Sequence, residues 1–347
     1  MFVIRREDQE LREHELLAPD ASRADSSEGR ARPIDPDYLR TDYQRDRDKI
    51  LHSKSFRRLS HKTQVFVASE GDHFRTRLTH TLEVAQIART IARALGLNED
   101  LTEAISLGHD LGHTPFGHAG EAALSSCIAR HRGLDPELAR THLLYRHNEQ
   151  SLRVVERIEN AGRGLNLTAE VRDGILHHTG PVPAETLEGR IVATADRIAY
   201  VNHDADDAIR AGLLTEADLP ASTHAVLGAD HSSRIETLVR DMVETSAAGD
   251  DVRLSDSVWA AMMELRSFLF ARVYRSETVL AEVNKATRLI EVLFDYYIAH
   301  PEEVPDEYRA ISDGDPMRAV CDYIAGMTDR FAKSTFKNLF VPSSQQY

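Results

Sequence analysis

The residues most able to do chemistry lie in the run GHDLGHTPFGHAGE at residues 108–121, which carries His109-Asp110, His113, His118 and Glu121. With His80 before it and Asp196 after it, His109 and Asp110 complete a set of two imidazoles and two carboxylates. Such a mixed nitrogen–oxygen donor set suits a catalytic transition metal or Mg²⁺. A structural zinc site would draw on thiolates, and the chain has two cysteines, Cys127 and Cys321. Neighbouring residues on a helix point about 100° apart. His109 and Asp110 can therefore share one ion if it sits across a helix end, with His80 and Asp196 supplied by partner helices. A His-Asp pair is weak by itself, because the chain has 17 histidines and a second such pair at His203-Asp204. The glycines around the first pair say more: each costs up to about 1 kcal/mol against alanine inside a helix, which favours a shaped turn beside a site.

His118 and Glu121 are spaced i, i+3 at the start of the helix expected after Pro115, so their side chains are neighbours. A carboxylate beside an imidazole raises its pKa and sets its tautomer, as a general acid near neutral pH requires; an N-terminal capping role for Glu121 is the alternative. His113 would share a face with His109 if their helix continues. Phosphate loops of known pattern are absent. Gly112 and Gly117 have Walker A spacing, but His118 and Ala119 stand where Lys and Ser/Thr are needed. Neither a strand-borne G-x-G-x-x-G nor a G-x-S-x-G elbow occurs.

The elements that must position these residues read as helices. Leu78, Leu82, Ala85, Ala88, Ala92 and Leu95 form one apolar stripe and Val84, Ile87 and Ile91 a second, predicting a helix buried on most sides. Gly96 stops it. Asn98 can cap the next helix, over 99–111, with Gly112 and Pro115 as stop signals. Further helices are predicted over 117–130, 148–160, 168–177, 187–210, 232–245, 255–270, 276–300 and 316–333, and strand-like alternation is short and rare. The fold class is therefore all-α. Residues 19–36 (PDASRADSSEGRARPIDP) lack apolar periodicity and read as a mobile linker or loop, with the folded body starting near Tyr38.

The chain has 347 residues, is 41% hydrophobic and 28% charged, and carries a net charge of −14, the balance of a soluble globular protein. Wholesale binding of polyanions is disfavoured. Residues 40–62 are the exception: Arg40, Arg45, Arg47, Lys49, Lys54, Arg57, Arg58 and Lys62 stand against Asp42, Asp46 and Asp48. This segment is either a solvated helix face or an anion site. No apolar run approaches the roughly 18–20 residues of a membrane span, the charged N-terminus is unlike a signal peptide, and two cysteines make a disulfide framework unexpected. A cytoplasmic location is expected.

His80, His109-Asp110 and Asp196, in that order on helices, resemble the metal ligands of the HD superfamily of phosphohydrolases. More specifically, RDRDKILHS at 45–53, FRRL at 56–59, KTQVF at 62–66, RTRLTH at 75–80, the run 109–121, His147-Asn148, Gln150-Ser151 and ADRIAY at 195–200 resemble the deoxyguanosine triphosphate triphosphohydrolase-like branch. The resemblance implies an HD-domain helical bundle with additional C-terminal helices, divided into an N-terminal arm (1–37), an HD domain (38–212) and a helical region packed on it (213–347). It also implies hydrolysis of a deoxynucleoside triphosphate to deoxynucleoside and inorganic triphosphate, with water attacking the α-phosphorus. His80, His109, Asp110 and Asp196 would be the ligands of a divalent metal, Mg²⁺ or Mn²⁺ first and other transition metals next, with His118 and Glu121 the catalytic pair. Arg77, Gln64, His113, His147, Tyr200 and Asp204 would contact substrate: Arg77, Tyr200 and the two histidines near phosphate, Asp204 at the sugar 3′-hydroxyl and Gln64 at sugar or base.

The partners implied are a dNTP as substrate, a dNTP as candidate activator, and further copies of the chain in a tetramer or hexamer. No membrane is implied, and nucleic acid would be secondary, since aromatic residues are 6% of the chain and show no stacking platform. The alternative functions are a nucleotidase or phosphodiesterase of the same superfamily and a nucleotide-sensing regulator without turnover.

Overall fold

A computed structural model describes residues 3–64, 75–135 and 143–342; Val65 and Phe66 of the KTQVF stretch lie outside them. In chain order the helices are α1 (Arg6–Leu16), α2 (Asp42–Leu51), α3 (Lys54–Arg58), α4 (Arg77–Ala94), α5 (Glu99–Gly108), α6 (His118–His131), α7 (His147–Arg153), α8 (Ala169–His177) and α9 (Leu187–Arg210). They continue with α10 (His231–Ala247), α11 (Asp256–Leu269), α12 (Glu277–Ala299), α13 (Asp306–Arg309), α14 (Pro316–Ala325) and α15 (Asp329–Phe340). Among the described residues there is no strand, only the isolated bridges Arg30–Thr168 and Thr63–Thr76, so the all-α expectation holds.

The chain forms two compact units that interleave along the sequence. The first comprises Met1–His52, Thr79–His109 and Asn166–Ser276, the second Ser53–Leu78, Asp110–Leu165 and Glu277–Tyr347.

In the first unit α5 packs against α2, α8 and α9, and α9 also against α10 and α11. Asn98 caps α5 as expected, its side chain accepting from the Asp100 and Leu101 amides. Helix α5 ends at Gly108, three residues short of the expected limit. The two stripes of α4 bury Val84, Ala85, Ile87, Ala88, Ile91 and Ala92, while Leu82 remains exposed. Along α9 the buried face is Ile191, Val192, Ala195, Ile198, Ala199, Val201 and Ala205, small and branched residues that let neighbouring helices approach closely.

The N-terminal segment departs from expectation. Helix α1 precedes Tyr38, and residues 19–36 are a hydrogen-bonded loop rather than a free linker. Buried Glu188 accepts from the Ser22 and Asn98 amides, both at 3.0 Å. Glu13 accepts from the Ala24 amide at 2.7 Å, and Glu170 accepts from Ser27 Oγ and the Glu28 amide at 2.7 Å. Arg30 pairs with Asp46 and, at 2.9 Å, with Asp42. Polar side chains reaching across the fold hold this stretch, and hydropathy does not register them. Arg40, just before α2, and Arg47 within it are likewise committed to carboxylates: Arg40 to Asp37 and Asp48, and Arg47 to Asp48, Asp100 and Glu103.

The second unit is centred on α12, which packs against α6, α14 and α15. Its core joins Leu124, Cys127 and Ile128 of α6 to Ile290, Leu293, Phe294 and Tyr297 of α12, with Val320 and Ile324 of α14. Both cysteines are free and buried, and burial pushes each thiol up to about 12. The helix expected over 316–333 is two helices, because the Thr328 side chain accepts from the Phe331 amide and starts α15 anew. The helix expected over 148–160 leaves α geometry after Arg153 and becomes a π turn at Val154–Ile158.

Candidate functional site

In the first unit α4 presents His80, the end of α5 presents His109, and α9 presents Asp196. Asp196 Oδ1 lies 2.9 Å from His80 Nε2 and 3.7 Å from His109 Nε2, and both rings are buried. The tautomer of His109 follows from its neighbour. Its Nδ1 lies 2.6 Å from the Ser106 carbonyl, which can only accept, so Nδ1 carries the hydrogen and Nε2 turns a lone pair toward Asp196. Metal-binding histidines are commonly oriented this way by a backbone carbonyl. His178 is held alike by the Ile175 carbonyl at 2.8 Å, its ring 4.9 Å from that of His109.

Below Asp196 on α9, Tyr200 and Asp204 follow at four-residue steps and so share its face. Asp204 is buried and accepts from Tyr274 Oη, and the Tyr200 and Tyr274 rings lie 6.5 Å apart at 22°. Tyr274 closes the π turn Phe270–Tyr274 after α11. Sequence reasoning missed Tyr274 and His178: neither falls in a motif, and only the fold brings them to α9 and α5.

The second unit holds the remaining residues. The peptide bond after His109 leads to Asp110, whose Oδ2 accepts from Arg77 Nη1 at 2.6 Å and whose Oδ1 lies 3.2 Å from His113 Nε2. Arg77 is 2% exposed, and its Nε has no hydrogen-bond partner among the described residues. The same is true of the buried Gln64 Oε1. Burial, then the charges of Arg77 and His147, pushes the His113 pKa well below its usual value.

His118 Nδ1 lies 3.0 Å from Glu121 Oε2, while Glu121 Oε1 meets both the His147 amide at 2.8 Å and His147 Nδ1 at 3.0 Å. His113 stacks on His147 with ring centroids 3.9 Å apart at 13°. Burial would raise the Glu121 pKa, but His147 and the His118 hydrogen bond override it and hold the carboxyl well below the usual range. Burial would likewise lower the His147 pKa, and Glu121 reverses that, leaving it raised.

The turn between Asp110 and His118 explains its glycines. A Cβ on Gly112 would meet the Ser151 amide nitrogen at 2.2 Å; the bare backbone instead donates to Ser151 Oγ and accepts from Tyr145 Oη, both at 2.8 Å. Phe116 and Gly117 both adopt positive φ, and a Cβ on Gly117 would meet Arg77 Nη2 at 2.8 Å. Two distant residues clamp this strained turn. Lys62 Nζ donates to the His113 and Ala325 carbonyls, with burial pulling its pKa down to about 7. Asp329 accepts from the Phe116 amide at 2.9 Å. The basic segment thus ends in a structural lysine.

The structure therefore gathers His80, His109, Asp196, Tyr200 and Asp204 in the first unit, and Gln64, Arg77, Asp110, His113, His118, Glu121 and His147 in the second. The HD domain profile matches residues 77–201, and the profile of the phosphohydrolase-associated domain matches residues 252–338. A deoxyguanosinetriphosphate triphosphohydrolase-like protein of Caldanaerobacter subterraneus subsp. tengcongensis is 52% identical over 97% of this chain and 96% of its own length. Proteins of the same description from Desulfatibacillum aliphaticivorans and Clostridium perfringens (strain 13 / Type A) are 46% and 48% identical, over 97% and 93% of this chain and 98% and 94% of theirs. On these matches the chain belongs to the deoxyguanosinetriphosphate triphosphohydrolase-like family of HD-domain phosphohydrolases.

Proposed function

We propose that the protein hydrolyses deoxynucleoside triphosphates to deoxynucleoside and inorganic triphosphate. The observation that carries the reading is the His118–Glu121 pair: an ionised carboxylate can only accept, so His118 Nδ1 bears the hydrogen and Nε2 is the nitrogen that exchanges protons with a reacting group. His118 is half exposed while Glu121 is buried, which suits an acid that meets substrate and a carboxylate that orients it.

His80, His109, Asp110 and Asp196 are the residues we assign to a divalent cation. The donor set fits: the His109 tautomer leaves Nε2 as a ligand nitrogen, and carboxylate with imidazole suits Mg²⁺, Mn²⁺ or another transition metal. When bound, such an ion lowers the pKa of water and neutralises phosphoryl charge. Arg77, with an uncommitted Nε, supplies a charge-assisted donor to the phosphate chain. Water adds at the α-phosphorus as its bond to the 5′-oxygen breaks, and His118 protonates that oxygen. Tyr200 contacts phosphate, Asp204, which Tyr274 meets, accepts from the sugar 3′-hydroxyl, and Gln64 offers Oε1 to a sugar or base donor.

The test is to incubate the metal-loaded protein with each dNTP, singly and in mixtures, and to separate the products by anion exchange. Inorganic triphosphate and deoxynucleoside are expected. Orthophosphate or a nucleoside monophosphate would assign the site to another nucleotidase reaction.

A further inference from the structure

The resemblance puts His147 near phosphate, but its geometry points elsewhere. Three groups converge on the Glu121 carboxylate: His118 Nδ1 on Oε2, and both the amide and the imidazole Nδ1 of His147 on Oε1. Glu121 is 3% exposed, so water does not replace a lost partner. An ionised carboxylate only accepts, which fixes both imidazoles as Nδ1–H tautomers. His147 is itself held from three sides. Its amide opens α7, its ring is stacked on His113, and the next turn of α7 is pinned where Ser151 Oγ accepts from the Gly112 amide. The space is closed there, since a single added carbon on Gly112 would strike the α7 backbone.

We propose that His147 is a positioning residue that acts through Glu121: its Nδ1–H and amide lock one carboxylate oxygen so that the other holds His118 in the tautomer and orientation needed for proton transfer. The inference rests on the acid role proposed for His118 and deepens it. It assigns His147 to a His–Glu–His relay in which Glu121 is the shared acceptor, and it assigns the work to Nδ1, whereas a phosphate contact would use Nε2.

That difference gives the experiment. In His147→Asn the side-chain amide nitrogen can take the place of Nδ1; in His147→Gln it can take the place of Nε2. Kinetics on the full-length metal-loaded protein should show His147→Ala lowering kcat about tenfold to hundredfold with KM within threefold, as for loss of an interaction made in the transition state. Asn should restore most of the loss and Gln should not. Added to Glu121→Gln, His147→Ala should cost little more, because the relay is already broken. Restoration by Gln alone, by both variants or by neither overturns the proposal, as does an unchanged kcat in His147→Ala.

A second measurement needs no turnover. Long-range ¹H–¹⁵N correlation of the His118 ring should show the Nδ1–H tautomer in the parent and in His147→Asn, and a mixture of tautomers in His147→Ala. If the parent yields no triphosphate but the tautomer responds in this way, the relay stands and the reaction assigned above falls. A tautomer indifferent to His147 removes the relay whatever the reaction.

Discussion

The candidate residues of the first unit and those of the second are of the same types, histidine and carboxylate, and differ in what faces Nδ1. In the first unit a backbone carbonyl takes the Nδ1 hydrogen of His109, and of His178 beside it. A neutral acceptor fixes the ring without favouring a second proton, which suits a ligand that must offer a lone pair. In the second unit a buried carboxylate takes the Nδ1 hydrogens of His118 and His147. A negative acceptor holds each ring by a charge-assisted hydrogen bond and leaves Nε2 as the nitrogen turned away from it, which suits a group that must exchange a proton there. The backbone differs in parallel: His80 and Asp196 come from the interiors of the long helices α4 and α9, and His109 caps the end of α5, with Asp110 next along the chain. His118 and His147 come from two helix starts, the first behind a positive-φ turn.

The contrast can be broken most severely at His109. Changing His109 to alanine should take turnover to background and remove bound metal together, as measured by activity and elemental analysis; normal metal content with full activity would end the ligand assignment. Next in size is His118→Ala, expected to lower kcat by about 10²–10⁴ with metal content unchanged and substrate affinity within a few-fold. Loss of metal there would make His118 a ligand and erase the distinction between the two sets of residues. Arg77→Ala should weaken a non-hydrolysable dNTP about 10–100-fold, the worth of one charged hydrogen-bonded contact, and a dNMP much less, with a cooperative melt retained. Equal losses would mean that the pairing with Asp110 is all that Arg77 does.

The smallest effect sharpens the proton side. A carboxyl lowered in the fold, as Glu121 is, stabilises fully above its ordinary value of 4.5 and loses this as pH falls below it. An imidazole raised in the fold, as His147 is, stabilises fully below its ordinary 6.5 and loses this as pH rises through its folded value. Both contributions are complete only between those values. The drop in Tm caused by Glu121→Gln should therefore be largest near pH 5.5 and shrink as pH rises through the folded value of His147, and a drop that grows with pH would show that the pair does not hold its charges.

The sequence made the helices and the chemistry-bearing residues legible, because 3.6-residue periodicity and the glycine-rich His-Asp run are local signals. The limits of α9 match expectation at both ends, with Thr186 capping one. Non-local features were not legible. Nothing near residue 19 shows that Glu188 and Glu170 will bind the loop that follows it, or near residue 274 that a tyrosine will reach Asp204. Arg77 lies in a motif and one turn before His80, yet its pairing with Asp110 depends on how the turn after α5 runs.

Asp329 illustrates what such distance means for the order of folding. It accepts from the amide and hydroxyl of Thr63 and from the amide of Phe116, across 266 and 213 residues of chain. Closing loops of that size is slow, and contacts of high sequence separation are made late relative to local helices. The helices that carry His80, His109 and Asp196 can form from local contacts, while the left-handed turn ahead of His118 gains its anchor only when α15 arrives. During synthesis from the N-terminus, the turn is therefore among the last features to set, and a chain stopped before residue 329 leaves the Phe116 amide without this acceptor.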